Sequence, residues 1–295
     1  MSPGGVARRS CLSVPGGDER KLAKVAGCGA DEVVLDLEDA VAIAGKDAAR
    51  AAVAAFLAAP PEGVPSLAVR VNAARSRWCH QDVQAVAAAG GPPRSIVLPK
   101  VESAADVGFV ERLLDGVDAQ FGRTEPVTIQ ALIESAAGLA RVAEIAGSSP
   151  RLRTLILGYA DLGASLGRGP GAPPEVWAPA QDAVLVAARA AWLAAIDGPH
   201  LGTLVDDDFQ ASVERARAVG FDGKWVIHPR QIGPVTTAFT PSSGEVAEAR
   251  AVLDALDTAG RSGLGAVALD GRMLDEALAV AARRTLARAG QPAHR

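Results

Sequence analysis

Short runs of strand-forming apolar residues recur eight times along this chain, at intervals of roughly 25 to 40 residues, and most are followed by a helical pattern. They are Ser10–Val14, Glu32–Leu37, Ser66–Val71, Ser95–Leu98, Val127–Ile133, Thr154–Leu157, Ala194–Asp197 and Lys224–Ile227. Several are continuously apolar, the pattern of strands covered on both faces. Eight strand–helix units predict an α/β fold of the closed (β/α)8, or TIM, barrel type. A doubly wound open sheet is the competing architecture, but six strands would normally complete it. At 295 residues and 49% hydrophobic, the chain can bury a core of barrel size.

The stretch Val127–Leu162 shows how such units place chemistry. Its two apolar runs stop at Glu134 and at Gly158 with Asp161, and Leu139, Val142, Ala143 and Ile145 recur between them at helical spacing. A helical crossover returns the second strand parallel to the first, so both carboxylates emerge at one rim of the sheet. Further along, Gly163–Pro179 is rich in Gly and Pro and reads as a loop over that rim, where a substrate lid would lie. Capping boxes are expected at Ser103 with Asp106 and at Ser242 with Glu245, the latter ahead of Val246, Ala249, Leu253 and Leu256 on one helical face. The expected division is a barrel over 1–257 and a C-terminal helical extension over 258–295. The extension holds a Gly-rich link (Gly260, Gly263, Gly265) and a closing helix with Leu274, Leu278, Ala281 and Leu286. It either packs on its own barrel or crosses to a neighbouring subunit.

Composition narrows the partners. A net charge of −4 with interspersed signs speaks against nucleic acid or an anionic membrane, and 4% aromatic residues speak against a base-stacking platform. No run approaches the roughly 18 apolar residues of a membrane span, and Ala183–Ile196 is interrupted by Arg189. The N-terminal stretch, with two arginines, lacks the apolar core of a signal peptide, so a cytoplasmic location is expected. Three scattered cysteines (Cys11, Cys28, Cys79) without CxxC spacing argue against a zinc or disulfide framework.

Ionisable groups cluster at the ends of the expected strands, where barrel enzymes place their sites. Strand two ends in Asp36, Glu38 and Asp39, strand three in Arg70 and Asn72, strand four in Lys100, and strand eight in His228. Glu134 and Asp161 offer hard oxygen ligands suited to Mg²⁺, or equally each caps a helix or pairs with an arginine. Arg70, between Val69 and Val71, should point into the barrel mouth and could grip a carboxylate, or pair with Asp36 or Glu38. Asp36, Glu38 and Asp39 read as supports for that centre. His228 reads as a backbone-bonded histidine held by Pro229, and the cysteines have no evident base partner. No GxGxxG or GxxxxGK[ST] motif is present.

Taken together, RRSCLSVPG, ADEVVLDLEDAV, VRVN, LPKVES, ALIESAAGL, LGYADLGASLG, AIDGP and GFDGKWVIHPRQI occur in the order and spacing of one family. The chain resembles the citrate lyase β-subunit-like (CitE-like) branch of the HpcH/HpaI aldolase superfamily, which includes malyl-CoA and citramalyl-CoA lyases. The match runs from about Arg8 to Met273 and beyond. This resemblance implies a TIM barrel that binds Mg²⁺ and makes or breaks a C–C bond beside a CoA thioester. It places the metal ligands on Glu134 and Asp161, the substrate contacts on Arg70 and Glu134, and an acid/base on Asp275 of Gly271–Asp275, reaching a neighbouring subunit's site. It further implies acyl-CoA and small keto acid substrates and a homo-oligomer, a trimer or hexamer. Ala137 stands where many relatives carry arginine, and LDLEDAV lacks the histidine of the pyruvate aldolases. Two alternatives remain at this level: a citrate lyase β subunit acting on an acyl carrier protein thioester, and a non-catalytic barrel.

Overall fold

The computed structural model describes residues 8–91, 94–122, 125–169, 171–261, 266–269 and 271–290. The chain divides into two compact units, one ending at Thr236 and the other beginning at Thr237. In the first unit strands alternate with helices: β1 (Ser10–Pro15), α1 (Glu19–Leu22), β2 (Glu32–Asp36), α2 (Lys46–Ala58), β3 (Ser66–Arg70), α3 (Cys79–Ala88), β4 (Arg94–Leu98) and α4 (Ala104–Phe121). There follow β5 (Thr128–Ile133), α5 (Ala136–Ala140), α6 (Val142–Ala146), β6 (Leu152–Leu157), α7 (Tyr159–Leu166), α8 (Ala178–Ala190), β7 (Ala194–Asp197), α9 (Asp207–Val219) and β8 (Gly223–Val226). Helix α10 (Ile232–Phe239) leads into the second unit. The eight strands form a closed barrel in sequence order, with β1 parallel to both β2 and β8. This is the expected (β/α)8 barrel, with strand ends shifted by no more than a residue or two.

Two-residue alternation sorts the barrel interior into layers. One residue from every strand (Cys11, Val34, Ala68, Val97, Leu132, Ile156, Ile196 and Trp225) joins a single buried cluster. Two residues towards the strand N-termini lies a polar layer. There Gln130 Nε2 donates to Ser95 Oγ at 2.7 Å and to both Glu32 oxygens at 3.0 and 3.1 Å. Arg8 donates to Glu32 Oε1 at 2.9 Å and to Thr154 Oγ1 at 3.2 Å. Since β2 and β5 are not neighbours, the Glu32–Gln130 contact must pass through the interior. Two residues beyond the apolar ring, the same parity brings Asp36, Arg70, Glu134 and Gly158 to the mouth. The intervening residues Val33, Leu35, Val69, Ile133 and Leu157 are fully buried under the helices.

Several local expectations are corrected. The crossover after β5 is two short helices, α5 and α6, parted at Arg141, whose φ of −114° and ψ of 16° leave the helix. Gly138 is the reason for its position: a Cβ there would overlap the carbonyl oxygen of Val101. The buried face is Gly138, Val142, Ile145 and Ala146, and Ala143 is exposed. The expected lid over 163–179 is largely ordered as the end of α7, a 3₁₀ turn at Pro174–Trp177 and the start of α8. Gly163 packs against Trp177, and Gly167 supplies the left-handed cap at φ 70°. Asp161 sits in the first turn of α7. No helix among the described residues is long and apolar enough to cross a membrane.

The second unit contains α11 (Ser243–Arg261), an antiparallel hairpin of β9 (Val267–Leu269) and β10 (Arg272–Leu274), and α12 (Glu276–Arg288). The expected boundary at 257/258 falls inside α11, as does Gly260, while Gly263 and Gly265 lie outside the described residues. Ala249, Ala282 and Leu286 are buried between α11 and α12, with Val246, Val252 and Leu253 packed around them. The face of α12 is therefore Ala279, Ala282 and Leu286, whereas Ala281 is exposed and Leu274 belongs to the hairpin. Gly271, at φ 76°, permits the hairpin turn. The capping boxes at Ser103–Asp106 and Ser242–Glu245 both form.

Closure of the barrel depends on Gly223, where a Cβ would overlap the carbonyl oxygens of Arg8 and Arg9 at the β1–β8 seam. Gly223→Ala should destabilise the protein by about 3 kcal/mol or more. The shift of the urea midpoint checks this, and an unchanged midpoint would contradict the seam geometry.

Candidate active site

At the mouth, Asp36 takes the guanidinium of Arg70 along one edge, accepting from Nε at 2.9 Å and from Nη2 at 2.5 Å. This fork-on-fork pair fixes the guanidinium plane. Nη1 lies 3.1 Å from Glu38 Oε2 as an ionic contact, and that buried oxygen has no hydrogen-bond partner. The guanidinium also stands over the Trp225 ring, 5.7 Å from its centroid. Burial opposes its charge, but the bonds and charge of Asp36 outweigh that and raise its pKa. Three of its five N–H groups face Asp36 and Glu38, and the rest of the Nη edge is left for a ligand.

Lys100 is the residue that the sequence understated. Its φ of 52° is left-handed, uncommon for a long side chain, and it follows Pro99 directly after β4. That turn sets its backbone N–H on Glu134 Oε1 at 2.8 Å and its ammonium on Glu38 Oε1 at 2.6 Å. Asp39 Oδ1 and Asp161 Oδ2 each lie 3.7 Å from the same ammonium. One lysine thus touches the ends of β2, β5 and α7. Burial works against its charge, but the bond and charge of Glu38 raise its pKa.

Glu134 is 4% exposed, and its pKa is pushed up to about 8, chiefly by burial and next by the charge of Glu38. Asp161 adds to the rise, while the Lys100 N–H and Arg70 oppose it. Ionising Glu134 at neutral pH therefore costs about 1.4 kcal/mol. Gly158 makes room for it, since a Cβ there would lie 2.7 Å from both Glu134 Cβ and Oε2.

The supports lie one step back. Lys46, 7% exposed, donates to the carbonyls of Leu37 at 2.8 Å and Glu38 at 2.7 Å, holding the loop after β2. Asp82 accepts from Asn72 N at 3.0 Å, Asn72 Nδ2 at 2.6 Å and Arg50 Nε at 2.7 Å, holding the turn after β3. His228 is a cap: its Nδ1 accepts from Arg230 N at 3.2 Å. Burial pushes the Cys79 thiol up to about 12 and the Cys11 thiol well above its ordinary value, so neither serves as a thiolate.

The mouth thus gathers Arg70, Glu134 and Asp161, but not every residue expected of the site. Asp275 lies in the second unit, exposed, where its carboxylate caps α12 by accepting from Leu278 N at 3.2 Å. Among the described residues no three His, Cys, Asp or Glu side chains stand close enough to cage a metal. Mg²⁺ needs no such cage, because it takes one or two carboxylates and keeps several waters. With all five ionised, Asp36, Glu38, Asp39, Glu134 and Asp161 would outnumber Arg70, Lys100 and Lys46 by two. That excess, the buried oxygen of Glu38 and the strained ionisation of Glu134 all fit a divalent cation.

A model of the HpcH/HpaI aldolase/citrate lyase family matches residues 9–229. The chain belongs to this family. It is 38% identical over 285 residues to the L-malyl-CoA/beta-methylmalyl-CoA lyase of Cereibacter sphaeroides, covering 90% of each chain. It is 35% identical to a (3S)-malyl-CoA thioesterase of the same species, covering 95% of this chain and 94% of the relative. Among solved structures, CitE from Mycobacterium tuberculosis, in complex with magnesium, acetoacetate and coenzyme A, is 34% identical with a TM-score of 0.75. That likeness covers 97% of this chain and 99% of the other. Family membership therefore spans the barrel in full.

Two outcomes follow for the mouth. With chelator present, Glu134 contributes stability that declines as pH rises from about 4.5 to about 8, because the unfolded chain releases this proton first. Urea unfolding across that range should show the decline, and Glu134→Gln should flatten it. Gly158→Ala, which crowds the same carboxylate, should weaken Mg²⁺ binding at least about 10-fold in titration calorimetry while the protein stays folded.

Proposed function

We propose that the chain is a Mg²⁺-dependent acyl-CoA lyase that reversibly cleaves a 3-hydroxyacyl-CoA of the citryl-, malyl- or citramalyl-CoA type into a keto acid and an acyl-CoA. The observation that carries this reading is the meeting of Glu134, Asp161 and Arg70 at one rim of a barrel that belongs to this family. Glu134 and Asp161 would hold Mg²⁺, which supplies Lewis-acid polarisation of the keto acid oxygens when bound.

Arg70, its plane locked by Asp36, presents its free Nη edge to the keto acid carboxylate and offsets charge as it develops on the oxygens. Lys100 keeps Glu134 aimed through its backbone N–H and holds Glu38 with its ammonium. In the cleavage direction a base takes the hydroxyl proton as the C–C bond breaks. The electron pair goes to the acyl-CoA α-carbon, which then gains a proton. Asp275, on the segment that the family resemblance singles out, is the proposed acid/base, acting in a neighbouring subunit of a homo-oligomer. The thioesterase relative supports a second reading, in which the same mouth serves thioester hydrolysis.

Purified Glu134→Gln and Asp161→Asn should lose at least about 1,000-fold in Mg²⁺-dependent keto acid release from a panel of hydroxyacyl-CoA esters, with unchanged circular dichroism. Arg70→Lys should lose about 100-fold, because an ammonium cannot take Asp36 and a carboxylate in one plane. Full activity of the metal-ligand variants would reject the assignment. Release of free CoA without an acyl-CoA product would select hydrolysis, and activity only on an acyl carrier protein thioester would select the citrate lyase subunit. Mixing Arg70→Lys with Asp275→Asn should raise turnover above that of either variant alone if the acid/base acts between subunits.

A further inference from the structure

A second polar centre lies outside the barrel interior. Ile196 and Trp225 belong to the inward ring, so their neighbours Asp197 and Lys224 point the other way, beneath the surrounding helices. Both are 2% exposed. Lys224 Nζ donates to Asp197 Oδ2 at 2.5 Å and to the Gly198 carbonyl at 2.8 Å. Tyr159 donates its hydroxyl to Asp197 Oδ1 at 2.5 Å and accepts from Gln181 Nε2 at 2.6 Å. This network is charge-balanced and internally bonded, and it forms the floor of a cavity of about 720 Å³ bounded by α7, α8 and α9. Such a volume suits a small-molecule ligand. Neither Arg70, Lys100, Glu134 nor Asp161 lines it.

The walls carry charge that nothing on the floor consumes. Arg168 and Arg215 line the cavity, both half-buried, and neither is paired with a carboxylate among the described residues. Arg168 lies over the Trp177 ring at 4.9 Å, and Tyr159 meets the same ring edge-on at 5.2 Å. Arg215 shares a face of α9 with Ser212, Ala211 and Asp208, all of which line the cavity. Asp208 is the one other acid there, and at 1.5 Å of rise per residue it stands about 10 Å from Arg215 along the helix. The Arg151 and Arg189 guanidiniums, by contrast, are each closed on carboxylates within 2.7 Å.

We propose that this cavity is a second ligand site, separate from the metal-bearing mouth, which takes a small dianion between Arg168 and Arg215. Dicarboxylates and phosphates share that chemistry. The apolar wall of Trp177, Pro173 and Ala211 accommodates a short carbon skeleton, and the bonded floor gives a rigid base. Occupancy bears on the mouth through α7, because Ala160, Gly163 and Ala164 line the cavity while Asp161, on the same helix, faces Lys100.

Calorimetric titration of the full chain in chelator with succinate, and separately with inorganic phosphate, tests the site without relying on lyase activity. At least one anion should bind saturably, and Trp177 fluorescence should change as Arg168 turns to the ligand. Arg168→Gln/Arg215→Gln should weaken binding at least 10-fold, and Glu134→Gln should leave it unchanged. Binding of succinate alone identifies a dicarboxylate site, and binding of phosphate alone identifies a phosphate site. No saturable binding of either anion, binding unchanged in the double variant, or binding lost in Glu134→Gln would each overturn the proposal. If the double variant fails to fold, Arg215→Gln alone gives the same comparison.

Discussion

Crowding of carboxylates at the barrel mouth is the constraint on which the remaining structure turns. Asp36, Glu38, Glu134 and Asp161 come from β2, the loop after it, the end of β5 and α7, and water is largely excluded from three of them. Unpaired, such a set would be costly to bury. Arg70 and Lys100 bring them together, and they do so by different means. The guanidinium locks Asp36 in a planar pair, whereas the lysine spends its backbone N–H on Glu134 and its ammonium on Glu38. Glu134 remains the group with the least compensation, which is why its pKa rises and Glu38 follows in the same direction, burial again being the main cause.

The alternation of the strands explains how one wall serves two centres. Inward residues build a polar plug, an apolar ring and the acidic mouth in succession, while the outward positions of β7 and β8 hold Asp197 and Lys224 beneath the helices. Small residues recur where these layers need space: Gly158 for Glu134, and Gly198 for the ring of Tyr159. A side chain at either position would meet side chains that hydrogen bonds hold in place through other atoms, Glu134 through Oε1 and Tyr159 through its hydroxyl, so relaxation is restricted.

The lyase, thioesterase and carrier-protein readings share this mouth, and the geometry bears on them unequally. All three set a thioester beside the mouth. They differ in where the thioester ends and which base acts, and those features depend on groups beyond the barrel mouth. The capping role of Asp275 does not compete with a catalytic one, since its carboxylate is exposed and uses one oxygen on Leu278 N.

Strand number, strand order and the identity of the rim residues were legible in the chain itself, because they follow from apolar runs, turn residues and alternation within a few residues. Helix details were less so. Gly138 lies against Val101, a contact between separate units of the barrel, and Gly163 against Trp177, which are 14 residues apart within one connection. The left-handed turn at Lys100 has no local signature beyond the preceding proline, and its partners Glu38 and Glu134 are 62 and 34 residues away. Likewise Arg70 could be seen to face inward, but its pairing with Asp36 depended on the register of β2 against β3. Local sequence therefore determined which groups reach the mouth. Only closure of the barrel decided which of them share protons and charge, because that depends on distances between strands.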